Sequence, residues 1–388
     1  MAKVKFGDVV KEVKNKIDRN NNPYEFYVAG DHMDTDSLSI PRRGSFLTDD
    51  VGPAFIREFK KGQVLYGSRR TYLRKVAVAD FDGVTANTTF VLETKDENVL
   101  RQRLLPFIMY TEGFTAWSIK KSRGSTNPYV LFKDLADYEF DLPSIKEQDK
   151  LAEVLWSIND TLQAYQKLLT QTDALVQAQF VEMFGTPDTN THGYQIGIIS
   201  DTVRDVHYGT SKKATDDGDY VYLRMNNITY DGNLDLSDIK RISVPEKELA
   251  GCLVKKGDVL FNRTNSRELV GKTCVFDIDE PMIIAGYIIR LRMNGLLCPE
   301  YLSTFLNLPS SKKLLFSMAK GAVGQANINA QEIQSIKIII PPKDIQLQFC
   351  GIKARTDRAK STLQNTITSL QATKRCILEN ALGTGRKE

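Results

Sequence analysis

Three short motifs in the sequence resemble parts of enzyme active sites, and none of them is complete. Gly271-Lys272-Thr273 resembles the end of a phosphate-binding loop, but Ser266 stands where such a loop has its first glycine. Asn127-Pro128-Tyr129 and Asn22-Pro23-Tyr24 resemble the Asn-Pro-Pro-Tyr motif of adenine methyltransferases, but both lack the second proline, and no glycine-rich cofactor loop accompanies them. The chain also has only three histidines. We therefore expect no catalytic residue and no metal site here, and we expect that the chain is not itself an enzyme.

Loops rich in Arg, Lys, Asn and Gln point instead to binding of double-stranded DNA. Arg and Lys neutralise phosphates, and Arg, Asn and Gln carry the forked groups that read the edges of guanine and adenine. Any one such run is most simply explained as a solvated loop, but similar runs recur at corresponding places in two parts of the chain. The candidate DNA-binding residues are Arg69, Arg70, Arg74, Lys121, Arg123 and Asn127 in the first part, and Lys212, Lys213, Arg224, Asn226, Arg263, Asn265 and Asn327 in the second.

The composition narrows the class of protein further. The chain has 388 residues, 41% of them hydrophobic and 26% charged, so it is long enough for two or three domains with hydrophobic cores. No apolar run approaches the roughly 20 residues that span a bilayer, so we expect no membrane contact and a cytoplasmic location. The five cysteines form no C-x-x-C pair, so we expect neither structural zinc nor a disulfide framework. The net charge of +4 does not by itself indicate a nucleic-acid partner.

An internal repeat organises the elements that carry these loops. Positions in the first part recur 198 residues later, and a short block upstream recurs at an offset of 195. A globular segment followed by a long helical pattern is therefore duplicated in tandem. The matched positions are Pro143 with Pro341, Gln148 with Gln346, Gly185 with Gly383, and residues 61–66 with residues 256–261.

The helical patterns are the most regular part of each repeat. No Gly or Pro interrupts residues 144–184, and apolar residues there alternate in steps of three and four, as in a coiled-coil seam. The second pattern has a similar, more polar seam. Pro143 and Pro341 mark the predicted starts of the helices, and the matched glycines suit their C-terminal ends. We expect the two helices to pack on each other. The candidate helix–helix or subunit-interface residues are Leu151, Leu155, Ile158, Leu162, Leu169, Leu363, Ile367 and Leu370.

The charges of the two helices support that pairing. Residues 144–185 carry three basic and six acidic residues, a net charge of −3, whereas residues 341–388 carry nine basic and four acidic residues, a net charge of +5. Opposite net charges favour pairing of unlike helices over self-association of either one.

The globular segments read as mixtures of strands and short helices. Short runs rich in Val, Phe, Tyr and Thr predict strands, among them residues 76–78, 259–262 and one run at 282–292, and residues 299–306 predict a helix. The fold class is therefore α+β, with two mixed α/β domains that are each followed by a long helix. We place the domains at residues 1–143 and 186–340, the helices at 144–185 and 341–383, and a tail at 384–388.

This arrangement resembles the specificity subunit of type I restriction-modification systems. The resemblance covers the whole chain and is strongest at Leu-Arg-Met-Asn-Asn-Ile (223–228), at Lys-Lys-Gly-Asp-Val-Leu-Phe-Asn-Arg (255–263), and from Ile336 through Pro341 to Gln346. The first copy departs from the second at residues 67–70, where Gly-Ser-Arg-Arg stands in place of Asn262-Arg263.

The resemblance implies a function for each part. Each globular segment would be a target-recognition domain that reads one half of a split DNA site, and the two helices would form an antiparallel coiled coil that docks two methyltransferase subunits. S-adenosylmethionine is then expected in the partner methyltransferase and not in this chain. Whether restriction or translocase subunits are further partners is left open by the sequence.

Two alternatives come from other classes of function. A coiled-coil scaffold that only joins proteins would show no sequence-dependent DNA binding even with a methyltransferase present. An enzyme that modifies DNA by itself would bind S-adenosylmethionine as an isolated chain, which the missing cofactor loop argues against.

Overall fold

The computed structural model describes residues 2–321 and 325–383. These residues divide into two compact units. Unit 1 consists of Met1–Gln166 together with Gln364–Glu388, and unit 2 consists of Lys167–Leu363. Each unit therefore contains one globular half of the chain and segments of both long helices. The predicted tail, residues 384–388, lies outside the described residues.

The first globular half contains two four-stranded sheets and one strand pair. One sheet has the order β2-β9-β6-β7 and is antiparallel, and the other has the order β4-β3-β8-β5 with a parallel pair between β3 and β8. β1 pairs with β10, so the first strand of the chain lies beside the strand that immediately precedes the first long helix. The strands are β1 Ala2–Lys5, β2 Val10–Val13, β3 Phe26–Val28, β4 Gly44–Ser45, β5 Phe55–Phe59, β6 Val64–Gly67, β7 Val76–Val78, β8 Gly83–Ala86, β9 Thr89–Thr94 and β10 Glu139–Leu142. The helices are α1 Phe6–Val9, α2 Leu105–Ile108, α3 Glu112–Lys121, α4 Phe132–Ala136 and the long α5 Ile145–Phe184, with 3-10 turns at Arg19–Asn21 and Thr71–Leu73.

The second globular half repeats this topology. Its sheets have the orders β12-β20-β16-β18 and β14-β13-β19-β15, again with a parallel pair in the second sheet, and β11 pairs with β22. A short additional pair, β17 with β21, has only an isolated bridge as its counterpart in the first half. The strands are β11 Gln195–Ile198, β12 Val203–Tyr208, β13 Tyr220–Leu223, β14 Lys240–Ile242, β15 Leu253–Val254, β16 Val259–Asn262, β17 Thr264–Asn265, β18 Thr273–Val275, β19 Met282–Ile284, β20 Ile288–Met293, β21 Ala326–Asn327 and β22 Lys337–Ile340. The helices are α6 Ile199–Thr202, α7 Glu246–Cys252, α8 Pro299–Asn307, α9 Pro309–Met318, α10 Ala330–Gln334 and the long α11 Lys343–Leu382, with a 3-10 turn at Met225–Asn227. The predicted α+β fold with an internal repeat is confirmed.

A buried glutamine ties the start of each long helix to the globular half that precedes it. Gln148 and Gln346 are both fully buried, and each side chain donates to two backbone carbonyls and accepts from one backbone N–H. All six bonds are 2.8–2.9 Å long. The partners are Pro143 O, Val99 O and Arg101 N for Gln148, and Pro341 O, Leu296 O and Cys298 N for Gln346. The repeat therefore extends to individual hydrogen bonds.

The two long helices pack antiparallel within each unit. In unit 1, Lys374 Nζ lies 3.4 Å from Asn159 Oδ1, and in unit 2, Lys360 forms an ion pair with Asp173. The residue number on α5 rises by 14 between these pairs while the number on α11 falls by 14, as an antiparallel register requires. Among the predicted helix–helix residues, Leu155, Leu162 and Ile367 are buried, and Leu151, Ile158, Leu169, Leu363 and Leu370 are half-buried.

The helix segments complete the hydrophobic core of each unit. In unit 1, Leu155 and Leu378 join the core built around Phe114 and Phe140. In unit 2, Phe180 and Phe184 of α5 pack on Tyr301 of α8, with ring centroids 4.8 Å apart in both pairs, and they also pack on Phe349 of α11. Fully burying such a side chain stabilises a fold by roughly 1.5–3 kcal/mol, so the long helices are part of both cores.

Two local predictions are wrong. The run at 282–292 is not one strand but two, β19 and β20, because Ala285, Gly286 and Tyr287 turn the chain between different sheets. The prolines also do not begin the helices: α5 begins two residues after Pro143, and α11 begins two residues after Pro341. The carbonyl groups of Pro143 and Pro341 instead accept hydrogen bonds from the side chains of the buried glutamines.

The predicted glycine at the end of α5 has the expected conformation. Gly185 follows the last helical residue with φ of +72°, a region that favours glycine, and its N–H donates to Val181 O. The N–H of Gly383 likewise donates to Glu379 O. No helix within residues 2–321 and 325–383 combines the length and the apolar character that crossing a membrane requires.

Candidate nucleic-acid interface

In the first half, two loops that carry predicted DNA-binding residues are joined by backbone hydrogen bonds. Arg70 N donates to Pro128 O at 2.7 Å, and Val130 N donates to Ser68 O at 2.9 Å. We call residues 123–129 turn A. Arg123 and Tyr129 close it, because each donates its N–H to the carbonyl of the other, at 2.8 and 2.9 Å. The residues brought to one surface in this way are Arg69, Arg70, Arg123 and Asn127.

Two cations on this surface are free to meet a ligand. Arg69 and Arg70 are exposed, and neither side chain forms a hydrogen bond or ion pair with a residue that the structure describes. Tyr72 and Tyr129 are exposed beside them, by 53% and 40%. Exposed cations interleaved with exposed aromatic rings suit contact with phosphates and sugars.

The other cations of the first half already have partners. Arg74 forms an ion pair with Asp36 and donates to Tyr110 O at 2.9 Å. Arg123 donates to both carboxylate oxygens of Asp134, at 2.9 and 3.0 Å. Lys121 lies over the ring of Trp117, 4.7 Å from its centroid.

In the second half, three predicted residues meet around strands β17 and β21. The guanidinium of Arg263 lies over the ring of Tyr208, 4.9 Å from the centroid, and its Nε has no hydrogen-bond partner among the described residues. Asn265 and Asn327 sit on the paired strands β17 and β21. Asn265 Nδ2 donates to Asn262 Oδ1 at 3.2 Å.

The remaining predicted residues of the second half lie on two other segments. Arg224 and Asn226 both donate to Asp238 Oδ2, at 2.8 and 3.1 Å. Lys212 forms an ion pair with Glu248 at 3.1 Å, whereas the side chain of Lys213 is exposed and makes no bond to a described residue. The carboxylates that hold these cations, Asp238 and Glu248, are distinct from the residues that surround Arg263.

A second turn occupies the same place in the second half as turn A in the first. We call residues 320–327 turn B, of which residues 320, 321 and 325–327 are described. Its closing residues, Lys320 and Asn327, exchange backbone hydrogen bonds of 3.1 and 2.8 Å, as Arg123 and Tyr129 do. Lys320 forms an ion pair with Glu332 at 2.7 Å, as Arg123 does with Asp134. Two further contacts match between the halves. The hydrogen bond from Val130 N to Ser68 O corresponds to the one from Ile328 N to Arg263 O. The bridge between Arg69 and Tyr129 corresponds to the strand pair Thr264 and Asn327.

This correspondence identifies Gln325, which is not among the residues predicted from the sequence. Because Tyr129 corresponds to Asn327, the counterpart of Asn127 is Gln325, at the same offset of 198 that relates Pro143 to Pro341. Asn327 itself is a strand residue whose Oδ1 accepts from Thr264 Oγ1 at 3.4 Å. The signal was present in the sequence, because counting back from the repeated prolines would have reached Gln325.

The carboxylate under turn B is held in its charged form. The hydrogen-bonded ion pair with Lys320, aided by the backbone N–H of Asn329, lowers the pKa of Glu332 below its usual range. The same ion pair raises the pKa of Lys320. The ion pair between Lys320 and Glu332 therefore stays charged across neutral pH.

Unit 2 also contains an open cavity of about 520 Å³. Arg267, Lys312 and Lys313 contribute three cations to its lining, together with Tyr230 and Phe316. Burial lowers the pKa of Lys312 to about 8. None of the predicted DNA-binding residues lines this cavity. No cluster of three or more His, Cys, Asp or Glu residues suited to a metal ion occurs within residues 2–321 and 325–383.

Comparison with known proteins places this architecture in a family. A family model described as the type I restriction modification DNA specificity domain matches residues 1–171 and 207–370, most of the chain. Over 196 residues, the chain is 25% identical to the putative type I restriction enzyme MjaX specificity subunit of Methanocaldococcus jannaschii, covering 50% of this chain and 46% of that protein. Over 181 residues, it is 26% identical to the type I restriction enzyme EcoKI specificity subunit of Escherichia coli K12, covering 45% of this chain and 39% of that protein. The matches span less than half the length of these curated relatives.

A solved structure shows the same fold over nearly the whole chain. The crystal structure of the type I restriction-modification system S subunit from M. genitalium superposes with a TM-score of 0.57 at 12% identity. The alignment covers 99% of this chain and 96% of that one. At this level of identity the likeness shows the fold, and the assignment of the residues described above depends on their own geometry.

Proposed function

This chain belongs to the family of type I restriction-modification specificity subunits, and from that premise we propose that it reads a two-part DNA target, one part with each globular half. Membership of the family implies recognition of a DNA target by a subunit that is itself non-catalytic. The two-part reading is our extension of that role to this chain. It follows the duplication, because each half repeats the same sheets and the same closed turn.

One observation carries the proposal: both halves present available guanidinium groups beside exposed tyrosines where a closed turn meets the end of a sheet. In the first half these are Arg69 and Arg70 beside Tyr129, and in the second half Arg263 lies on Tyr208. Arg is the residue that most often contacts guanine edges and phosphates. A net charge of only +4 is compatible with this function because such contacts act locally.

The long helices are the surface that we propose for docking two methyltransferase subunits. Leu168 and Leu175 of α5, one heptad apart, are exposed by 48% and 65%, and Leu347 of α11 is exposed by 56%. Leu168 and Leu175 lie on the same face of α5, where a partner subunit could cover both. We expect the partner methyltransferase, and not this chain, to bind S-adenosylmethionine.

The test is an exchange of the first recognition domain. The chain is expressed with its methyltransferase subunits, and genomic methylation is mapped for the natural chain and for one in which residues 1–142 are replaced by another recognition domain. We expect the natural complex to methylate a motif of two short blocks separated by unread bases, and the exchange to alter one block only.

Two results would contradict the proposal. A natural complex that methylates without any sequence motif would indicate a scaffold that joins proteins without reading DNA. An exchange that alters both blocks, or neither, would show that the halves do not read independently.

A further inference from the structure

Several polar side chains of the two turns already have partners within the protein. Arg123 is held by Asp134, and Lys320 is held by Glu332. A forked side chain whose N–H groups donate to residues of the protein has fewer donors available for a base edge. Base reading therefore falls to the side chains that the fold leaves free.

Two amide side chains remain free at equivalent positions. Asn127 in turn A and Gln325 in turn B are both exposed, and neither forms a side-chain hydrogen bond with a residue that the structure describes. Asn265 and Asn327, by contrast, are half-buried and bonded to Asn262 and Thr264. Among the amides of the two turn regions, only this equivalent pair is both exposed and unbonded within residues 2–321 and 325–383.

The two turns hold these amides on similar supports. A basic residue closes each turn and is followed directly by a glycine with positive φ, Gly124 at +89° and Gly321 at +158°. Shortly beyond each amide the backbone is paired again, through the bridge at Tyr129 in the first half and through β21 with β17 in the second. An exposed amide that lies directly before a paired stretch of backbone is positioned without being buried.

We propose that Asn127 and Gln325 are specificity-determining residues that each read an adenine in the major groove, one in each part of the target. This inference depends on the proposed function. A free carboxamide matches adenine in both directions, because its oxygen accepts from the N6 amino group while its NH₂ donates to N7. Two amides at equivalent positions give each half the same chemical reader, while the neighbouring residues differ between the halves.

Asp134 and Glu332 act as positioning residues under the two readers. Each carboxylate binds the basic residue that closes its turn, at 2.9 Å in turn A and 2.7 Å in turn B. Turn B has one more residue than turn A between the basic residue and the strand, and its reader is longer by one methylene. The longer of the two amide side chains therefore lies in the longer of the two turns.

The experiment compares single variants in the complex of the full chain with its methyltransferase subunits. Asn127→Ala and Gln325→Ala remove the readers, and Asn127→Asp and Gln325→Glu keep the shape but lose the donor to N7. Asn98→Ala and Gln331→Ala are matched controls, because both side chains are exposed and of the same types. Methylation motifs are mapped for each complex, and binding is then measured in competition with duplexes that carry each base at every position of the target. Thermal unfolding checks that the variants remain folded.

We expect each Ala variant to relax discrimination at one A·T pair by roughly 5- to 150-fold, with Asn127 affecting one block of the motif and Gln325 the other. The acidic variants should shift preference at the same pair towards cytosine, whose N4 amino group a carboxylate accepts. The controls should leave the motif unchanged. The inference is overturned if both Ala variants retain the natural motif, if both alter the same block, or if the relaxed position is a G·C pair. A natural complex with no two-part motif would instead overturn the proposed function, so the two failures are distinguishable.

Discussion

The two globular halves share their backbone framework and differ in what they bury within it. Strand pairing aligns Val91 of β9 with Arg290 of β20, because Val91 pairs with Leu65 as Arg290 pairs with Leu260. Val91 is fully buried and Arg290 is 1% exposed. One half therefore places a methyl-bearing side chain where the other places a guanidinium. The sheet order survives this exchange because it is fixed by backbone hydrogen bonds that do not depend on the side chain.

Each half also has its own buried ion pair. In the first half, Arg57 bonds to Glu12 at 2.8 Å, with both side chains at most 10% exposed. In the second half, Arg290 donates to Asp205 at 2.5 Å and also to the backbone carbonyls of Ala250 and Leu253. The buried ion pairs thus differ between the halves, whereas the buried glutamines and the closed turns occur in both. An ion pair that occurs in one half can be changed there without affecting the other half, and the shared contacts define the repeat.

The largest expected effect comes from breaking the buried ion pair between Arg290 and Asp205, which only the second half has. Asp205→Ala leaves the buried guanidinium of Arg290 without its carboxylate, and removing one partner of a buried pair typically costs several kcal/mol. We expect a loss of about 3 kcal/mol in the free energy of unfolding of unit 2, measured by urea unfolding of the full chain.

The double variant Asp205→Ala with Arg290→Val is the matched control, since it gives β20 the residue that β9 carries. Most of the lost stability should return in it. A single variant as stable as the natural chain would show that solvent already replaces the carboxylate, and the proposed contrast between the halves would then be wrong.

The common framework is tested by removing its buried glutamines one at a time. Gln148→Ala and Gln346→Ala each take their side-chain partner away from two backbone carbonyls and one backbone N–H. We expect each to cost about 2 kcal/mol in the free energy of unfolding of its own unit. Gln171→Ala and Gln364→Ala, at exposed positions of the same helices, should cost less than about 0.5 kcal/mol. Clearly unequal losses at Gln148 and Gln346 would break the equivalence of the two helix starts.

The repeat and the long helices could be predicted because their signals are local or periodic. Pro143, Gln148 and Gly185 recur at a fixed spacing, and the seam of α5 is set by turns of 3.6 residues. The split of 282–292 into two strands could not be predicted in the same way. It depends on β19 and β20 joining different sheets, which is a long-range property.

The candidate interface was predicted only at the level of loops. Arg123 and Lys320 are held by carboxylates 11 and 12 residues further along the chain, and no local pattern shows which cation a carboxylate will hold. Asn327 is predicted in place of Gln325 because residue type alone does not show which amide is bonded within the fold. Asn327 lies in β21 and accepts from Thr264, whereas Gln325 lies just before that strand and makes no side-chain bond to a described residue. Assigning readers therefore requires the hydrogen-bond partners that only the fold supplies.

The smallest expected effect concerns the paired long helices. One lysine of α11 in each unit packs against α5, and the two lysines have different partners. In unit 2, Lys360 meets the carboxylate of Asp173. In unit 1, Lys374 meets the neutral amide of Asn159 and lies over the rings of Phe107 and Tyr110. Burial lowers the pKa of Lys374 to about 8 from its ordinary value of 10.5. The charged form of this lysine therefore carries a cost in the folded protein that an adjacent carboxylate would offset.

The sign of the resulting pH dependence follows from proton binding. Below pH 8, Lys374 is charged in both the folded and the unfolded chain, so the cost is present in full; between about pH 8 and 10.5, the unfolded chain binds more protons, and the stability rises with pH. The free energy of unfolding of the natural chain should therefore rise relative to that of Lys374→Met as the pH increases through that window. Asn159→Asp gives unit 1 the charge pairing of unit 2, and it should raise the pKa of Lys374 and flatten this rise. A difference between the natural chain and Lys374→Met that stays constant from pH 7 to 10.5 would mean that the amide already accommodates the charge, and that the two units hold their lysines with equal ease.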